Sequence, residues 1–352
     1  MKVAIVGAGA IGGLVGAKLA LAGEEVTFIV RGRNREAIRA EGVKLILADG
    51  TAQRATGVRA TDDTAEAGPQ DVVVLAVKAH QLPEVAPRLA PLYGPHTCVV
   101  TMQNGVPFWY FHGHGGALAG TQLRSVDPHG DLARWIPPER VIGCVVYPAS
   151  ELTAPGVVRH IEGDRFPLGE PDGSSTERVE RVARMFTNAG FKAPVLEDIR
   201  SELWLKLWGN LTFNPISALA HATLEDICRF PLSRELAADM MREAAEVAGR
   251  LGVSFRVSVD KRIAGAEKVG RHKTSMLQDI EAGRAPEIDA LVGAVIELGR
   301  LVQVPTPHIS TVYALVRLLA HTMEQERAHV RLRALAACPR TNPRRAWRFP
   351  QT

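Results

Sequence analysis

The sequence has little of what marks several classes of protein. Its four cysteines are scattered without any C-x-x-C pair, which argues against a zinc site or a disulfide framework; they are Cys98, Cys144, Cys228 and Cys338. The net charge is only +4 at pH 7, too diffuse to indicate nucleic-acid binding. No uncharged run reaches transmembrane length. We therefore expect a cytoplasmic protein with reduced thiols, no metal and no membrane span.

A glycine-rich turn near the N-terminus is the strongest functional signal. Apolar residues 3–6 run directly into glycines at G-x-G-x-x-G spacing, and small residues at helical spacing follow to about residue 22. A strand, a tight glycine turn and a helix in this order can hold a pyrophosphate, because the backbone is open and free N–H groups face it. The motif predicts a dinucleotide site at Gly7, Ala8, Gly9, Ala10, Ile11 and Gly12.

The residue after the second predicted strand indicates which dinucleotide binds. Residues 25–30 have the composition of that strand, and NAD-selective folds place Asp or Glu near its end to hold the ribose 2′-hydroxyl. This chain has Arg31 at that position. A guanidinium can bind a 2′-phosphate bidentately, whereas a carboxylate would repel it. NADP(H) is therefore favoured, and the alternative is that Arg31 belongs to a solvated basic loop.

The pattern of elements changes along the chain. Buried strands predicted at 71–77 and 97–101 alternate with helical segments, which indicates a parallel sheet with helices on both faces. Short strands follow from residue 141, with one near 193–196, and apolar residues then recur every three or four positions. We predict an α/β fold with a Rossmann-type doubly wound sheet (1–198), an all-α domain (199–332) and a loose Arg-rich tail (333–352).

Two of the predicted strands end in polar residues. Ligands bind beyond the carboxyl ends of strands in open parallel sheets. Lys78 ends the first of these strands and is placed to meet cofactor phosphate or ribose. Asn104 follows the second and could hydrogen-bond nicotinamide or substrate. The alternative for Asn104 is structural, because an Asn-Gly pair also permits a positive-φ turn.

The helical half carries a polar row within apolar sequence. Lys206, Asn210 and Asn214 are four residues apart, so they line one face of a helix, and no carboxylate accompanies them. Such groups need partners if they are buried. Pro215 disfavours helical geometry at Asn214, so we expect the helix to break or kink there. The alternative is a solvated stripe on an amphipathic surface helix.

Two further positions extend this constellation. Ser275 could donate a hydrogen bond to a substrate carboxylate. Glu287 follows Pro286 at the start of a predicted helix. A carboxylate there is also favoured by the helix dipole, so a capping role is the alternative for Glu287.

Together, these motifs resemble those of the ketopantoate reductase (2-dehydropantoate 2-reductase) family. They occur in family order over roughly residues 1–310, and besides Arg31 they are GAGAIGG (7–13), VKAHQ (77–81), QNG (103–105), KxxxNxxxNP (206–215), SMLQD (275–279) and EID (287–289).

The resemblance implies an NADPH-dependent reductase of a small 2-oxo acid, most simply 2-dehydropantoate, with its site in a cleft between a Rossmann domain and a helical domain. It implies that Lys206 is the general acid and that Glu287 positions the substrate or Lys206. It assigns Asn104, Asn210, Asn214 and Ser275 to substrate or nicotinamide, and Arg31 and Lys78 to the adenosine-phosphate side. Lysine fits the chemistry, since an ammonium stabilises the oxyanion formed by hydride transfer and then donates a proton.

Residues 108–140 depart from the family pattern. After the QNG motif, four aromatics (108–111) and about thirty polar or glycine-containing residues precede the next strand. We hypothesise that this insertion reshapes the substrate pocket, the alternative being a surface loop anchored by its aromatics. A β-hydroxyacid or opine-type dehydrogenase and a non-catalytic NADP(H)-binding sensor remain alternative functions. A homodimer formed through the helical half is also compatible with the sequence.

Overall fold

The computed structural model describes residues 1–332, and the predicted tail at 333–352 lies outside them. A seven-stranded sheet organises the N-terminal part in the order β11-β8-β7-β6-β1-β2-β5, and all its pairs are parallel except β11 with β8. Its strands are β1 (Lys2–Val6), β2 (Glu25–Ile29), β5 (Arg59–Thr61), β6 (Gln70–Leu75), β7 (Tyr93–Thr101), β8 (Val141–Cys144) and β11 (Leu168–Gly169).

Alternate residues of the central strands face two separate cores. Val3 and Ile5 of β1 pack into one core, whereas Ala4 and Val6 pack into the other. Both faces of the sheet are therefore covered, which is why these strands are continuous apolar runs rather than alternating ones. The helices of this part are α1 (Ala10–Leu21), α2 (Gly32–Glu41), α3 (Thr64–Ala67), α4 (Leu82–Val85), α5 (Asp131–Trp135) and α6 (Glu177–Asn188).

A second, four-stranded sheet was not predicted. Its order is β4-β3-β10-β9, formed by β3 (Val43–Ile46), β4 (Ala52–Ala55), β9 (Ala149–Ala154) and β10 (Val157–Glu162). It packs on the side of α1 that faces away from the large sheet, and Val158 lies against Gly13 of that helix. Helix α1 is therefore buried between two sheets, which explains why its residues are small and, except for Lys18, apolar.

The rest of the described chain is helical. The helices are α7 (Ile199–Ala220), α8 (Leu224–Arg229), α9 (Pro231–Arg250), α10 (Val259–Lys268), α11 (Ser275–Glu281), α12 (Ala294–Leu301) and α13 (Pro307–Glu326), with a π-helical turn at Asp289–Gly293. They enclose a third core, to which Val106, Tyr110, Phe111 and Leu123 of the segment after β7 also contribute. The α/β class with a following helical region is thus confirmed, whereas the predicted division at 198/199 stays a prediction. No helix in residues 1–332 is long and apolar enough to cross a membrane.

Two local predictions differ from the structure. Helix α7 continues through Asn214 and Pro215, so the predicted break is absent, whereas a kink there stays a prediction. Proline removes one helical hydrogen bond, but this turn is fully packed, with Phe213 and Ile216 in the helical core, and tertiary burial overrides the local preference. The strand expected near 193–196 is reduced to an isolated bridge between Val195 and Leu168.

Candidate active site

The glycine turn has the shape that a bound dinucleotide needs. It joins β1 to α1, and Gly9 is the N-cap of that helix without any side-chain cap. A Cβ built on Gly9 would meet nothing within 4 Å, so the space beside this backbone is open. A Cβ on Gly12 would instead overlap the carbonyl of Gly7, so the third glycine is required for close packing of the turn. Open backbone and free N–H groups fit a pyrophosphate.

Asn34 supports this turn, and sequence reasoning did not single it out. Its side-chain amide donates to the carbonyl of Ala8 at 2.6 Å, and its oxygen accepts from the N–H of Gly156 at 2.7 Å. Both ends of one amide are thereby used to join the glycine turn, helix α2 and the small sheet. No spacing in the sequence could have indicated this link, because Asn34 and Gly156 are 122 positions apart.

Arg31 lies at the surface beyond the end of β2. It is the N-cap residue of α2, its side chain is 71% exposed, and it forms an ion pair with Glu84. An exposed pair of this kind contributes little to stability and is easily exchanged. The guanidinium is therefore available to an incoming anionic group at the edge of the sheet.

Lys78 meets the helical region rather than open solvent. It lies three residues after the end of β6, and its ammonium contacts Asp279 of α11 at 2.6 Å and the carbonyl of Ala285 at 3.2 Å. Arg284 also contacts Asp279, at 3.0 Å. Asp279 was noticed in the sequence only as part of the SMLQD motif, and its ion pair with Lys78 spans 201 positions.

Helix α7 holds Lys206 on a rigid support. Asp198 caps the helix start by accepting from the N–H of Ser201. Two buried tryptophans anchor its core side, since the indole of Trp204 donates to the hydroxyl of Tyr110 at 2.7 Å and that of Trp208 to the carbonyl of Met241 at 2.8 Å.

Three predicted site residues form one continuous hydrogen-bond chain. The ammonium of Lys206 donates to the amide oxygen of Asn104 at 2.7 Å, and the amide nitrogen of Asn104 donates to Glu287 at 3.2 Å. The other oxygen of Glu287 accepts from the backbone N–H of Ala79 at 3.0 Å. Because an ammonium can only donate, it fixes the orientation of the Asn104 amide. These groups come from two strand ends, α7 and the segment before the π-helical turn.

The turn that carries Asn104 does not need asparagine for its backbone. Gly105 takes the positive φ, at +89°, and Asn104 is not among the described residues with positive φ. The N–H of Val106 donates to the carbonyl of Ala290 at 2.8 Å, which docks this turn onto the π-helical segment after Glu287. The turn alternative for Asn104 is therefore not favoured. Glu287, likewise, contacts Ala79 and Asn104 rather than capping its own helix.

Burial changes the acidity of Lys206. It lowers the pKa of the ammonium to about 8, from the usual 10.5, while the nearby charge of Glu287 raises it in part. Apolar side chains produce this burial, because Val145, Val146, Leu203 and Leu207 line the small cavity into which Lys206 projects. A lysine with its pKa near neutrality can both stabilise negative charge and release a proton.

The remaining residues of the predicted row differ in their surroundings. Asn210 lines the same cavity as Lys206 and Asn104. Asn214, one turn further along α7, is buried, and no hydrogen-bond partner for its side chain is found within residues 1–332. Ser275 is the exposed first residue of α11, one turn before Asp279. Asn210 thus lies at the same cavity as Lys206 and Asn104, whereas Asn214 and Ser275 are not among the residues that line it.

The aromatic insertion packs in the core and does not line this cavity. Trp109, Tyr110 and Phe111 are each at most 2% exposed, and the indole of Trp109 donates to Thr101 at 2.9 Å. Further along, Glu297 of α12 accepts from the backbone N–H groups of Arg124 and Ser125, each at 2.8 Å. These contacts favour the anchored-loop alternative over a reshaped pocket.

Comparisons with known proteins agree with this geometry. The family model Ketopantoate reductase PanE/ApbA matches residues 3–173, and Ketopantoate reductase PanE/ApbA C terminal matches residues 198–320. The chain is 58% identical to a 2-dehydropantoate 2-reductase of Mesorhizobium japonicum over 91% of this chain and 98% of that protein. It is 30% identical to another of Archaeoglobus fulgidus, over 85% of this chain and 90% of that protein.

Solved structures show the same likeness. A crystal structure assigned to a ketopantoate reductase from Ralstonia solanacearum MolK2 superposes with a TM-score of 0.87 at 45% identity, over 92% of this chain and 98% of that one. D-mandelate dehydrogenase with NADH and anilino(oxo)acetate, at 23% identity and a TM-score of 0.78, shares the fold. The chain therefore belongs to the ketopantoate reductase family.

Proposed function

We propose that the protein reduces 2-dehydropantoate to pantoate with NADPH. The chain of hydrogen bonds from Lys206 through Asn104 to Glu287 carries this proposal, because it holds the half-buried ammonium at a small cavity, between the sheet and α7, that apolar and amide side chains line together. In the balanced reaction the 2-oxo acid, NADPH and one proton give the 2-hydroxy acid and NADP⁺. The protein must therefore supply one proton to the carbonyl oxygen.

Each of the three residues has a distinct role in this proposal. Lys206 stabilises the negative charge that develops on the carbonyl oxygen and then protonates it. Asn104 orients Lys206 and exchanges that contact for one to the substrate or nicotinamide. Glu287 fixes the amide of Asn104 and raises the pKa of Lys206, which keeps more of the lysine protonated at neutral pH. Asn210, Asn214 and Ser275 are the proposed further substrate contacts.

The cofactor would be held by residues that fit its groups. Gly9 and the N-terminus of α1 would face the pyrophosphate, with Gly7, Ala8, Ala10, Ile11 and Gly12 completing the turn. Arg31 would bind the 2′-phosphate and Lys78 the adenosine ribose or phosphate. When bound, NADPH supplies the hydride.

Replacing Arg31 tests the choice of cofactor. We expect Arg31→Glu to lower kcat/KM for NADPH by about 10- to 100-fold, because a charge-assisted bidentate contact is lost and a repulsive charge is added. The value for NADH should stay the same or rise. Steady-state kinetics with both cofactors measures this. Arg39→Glu, the same charge change on the exposed face of α2, is the control. If kcat/KM for NADPH were unchanged in Arg31→Glu, the 2′-phosphate would have to bind elsewhere.

Reduction of candidate oxo acids tests the activity itself. We expect substrate-dependent loss of NADPH absorbance with 2-dehydropantoate, at kcat/KM of about 10⁴ M⁻¹s⁻¹ or more. A panel of other 2-oxo acids, 3-hydroxy acids and amino acids serves as comparison. Faster turnover of a 3-hydroxy acid, or of an amino acid with an oxo acid, would favour the other dehydrogenase classes.

Three further expectations stay proposals alongside this function. A cytoplasmic location and a domain boundary at 198/199 are two of them. The third is a homodimer formed through the helical half, which would use exposed apolar residues such as Leu315 and Leu318 on α13. Light scattering at several protein concentrations tests the dimer.

A further inference from the structure

The side-chain amide of Gln103 joins the ends of two neighbouring strands. Gln103 lies two residues after the end of β7, and its amide nitrogen donates to the carbonyl of Leu75 at 2.8 Å and to that of Val77 at 3.0 Å. Because a carbonyl only accepts, both contacts require the NH₂ end of the amide, and its orientation is thereby fixed. Both N–H groups are used on the backbone at the end of β6, so the amide oxygen is the end left for another partner.

The amide oxygen of Gln103 has no donor in the described part of the chain. It is also not one of the enclosed side-chain atoms that lack a partner there, so it is accessible to a ligand. Gln103 lines the same small cavity as Lys206, Asn104 and Asn210. Asn104 differs from it, because both ends of that amide are engaged, by Lys206 and by Glu287. Gln103 is therefore a residue of this cavity with an unused acceptor.

The backbone that Gln103 binds lies against the glycine turn. A Cβ built on Gly7 would overlap Cγ1 of Val77, at 2.7 Å, and would lie 3.2 Å from the carbonyl carbon of Ala76. One side chain thus bonds to the segment that packs on the proposed pyrophosphate site and also lines the cavity that contains Lys206. A dinucleotide that begins at the turn and delivers a hydride beside Lys206 has to place its nicotinamide near this amide.

The unused oxygen restricts its partner to a hydrogen-bond donor. An amide oxygen only accepts, and so do the carboxylate and keto oxygens of a 2-oxo acid. The donors that remain are the carboxamide NH₂ group of nicotinamide and the hydroxyl group of the substrate. The carboxamide fits better, because Gln103 is bonded to the segment beside the glycine turn, on the cofactor side of the cavity.

We propose that Gln103 is a cofactor-binding residue whose amide oxygen accepts a hydrogen bond from the carboxamide NH₂ group of nicotinamide. This inference rests on the proposed function, which places the hydride donor at this cavity. The carboxamide is attached to the ring carbon next to the one that gives up the hydride, so the contact holds one face of the ring toward the substrate carbonyl. Orientation of this kind favours hydride transfer without adding any charge to the site.

Cofactor analogues test this contact in the wild-type protein. The 3-acetylpyridine analogue of NADP⁺ lacks the NH₂ group and keeps the carbonyl oxygen, whereas the thionicotinamide analogue keeps the NH₂ group. Calorimetry should show that the acetylpyridine analogue binds about 3- to 10-fold more weakly than NADP⁺, the usual effect of one neutral hydrogen bond. The thionicotinamide analogue should bind with an affinity close to that of NADP⁺.

Three variants separate the contact from packing. Gln103→Met removes the acceptor, so the ratio of the affinities for NADP⁺ and the acetylpyridine analogue should fall from about 3 to 10 to about 1. Gln103→Glu also loses the bonds to Leu75 and Val77 but keeps an accepting oxygen, so it should keep the wild-type ratio. Gln53→Met, on the exposed part of β4, should match wild type. Melting temperatures show that the variants are folded, and Gln103→Ala serves if Gln103→Met does not fold.

The outcomes distinguish the inference from the function. If wild type binds NADP⁺ but reduces none of the oxo acids, the proposed function fails while calorimetry still tests Gln103. Equal affinity of wild type for all three cofactors, an unchanged affinity ratio in Gln103→Met, or no binding of NADP⁺ would each overturn the assignment. If Gln103→Met instead raised KM for 2-dehydropantoate but not for the same acid without its hydroxyl group, the oxygen would bind the substrate, and the assignment would be overturned as well.

Discussion

Lys206→Ala should lower kcat/KM for 2-dehydropantoate by ~10²–10⁴-fold, the usual contribution of a positioned general acid. The variant loses both the charge that stabilises the oxyanion and the proton that completes the reaction. Most of the loss should appear in kcat, because the contact with the carbonyl oxygen strengthens as negative charge develops. Stopped-flow or steady-state NADPH absorbance measures the effect.

Two comparisons make this result specific. Lys206→Met keeps most of the side-chain volume in the apolar cavity, so it separates loss of the ammonium from loss of packing. Lys268→Ala removes an exposed lysine from α10 and should behave as wild type. The affinity for NADPH should survive in all three variants. A Lys206→Ala protein of normal activity would reject the proposed acid, and wild type without activity on any substrate would favour a nucleotide-binding sensor.

Glu287→Gln should change the pH dependence as well as the rate. In wild type, kcat/KM for reduction should decrease above pH 8, because the pKa of Lys206 is about 8 and only its protonated form can donate. The negative charge of Glu287 raises this pKa, so neutralising it should move the basic limb to lower pH. At pH 8 the kcat/KM of the variant should be about 10- to 100-fold lower than that of wild type, because less of Lys206 is protonated and Asn104 is held less firmly.

The pH profile distinguishes this role from a structural one. His80 also lies near Glu287, but burial lowers its pKa below the usual 6.5, so its titration belongs to the acidic side. Glu281→Gln, at a carboxylate of α11 that pairs with Lys273, is the matched control. A uniform loss across the pH range, with the basic limb unmoved, would mean that Glu287 acts without influence on Lys206.

Most of the fold could be predicted from local sequence patterns. The glycine turn and the strands ending near Lys78 and Asn104 follow from the periodicity and composition of short segments, and the structure has them where the sequence places them. The small sheet was missed because its strands are short and partly polar, as the exposed β4 residues show. The break predicted at Pro215 is absent for a different reason. Proline disfavours a continuing helix locally, but burial of the surrounding turn outweighs that preference.

The candidate active site could be predicted from the sequence only in part. Lys206 was predicted from a polar row within apolar sequence, Asn104 from its place after a predicted strand, and the role of Glu287 from the family resemblance. The structure brings the three side chains into contact. Asn34 and Asp279 were not recognised. Their significance depends on contacts with residues far away in sequence, and such contacts leave no periodic signal.

The contact between Asn104 and Glu287 joins residues 183 positions apart. During synthesis on a ribosome, the glycine turn and its sheet could form early, whereas proton transfer has to wait until almost all of the described chain has emerged. A truncated product that ends before residue 287 would be an incomplete enzyme even if its nucleotide-binding part folded. Two separately expressed fragments, divided in the segment before α7, would regain turnover only by associating with each other.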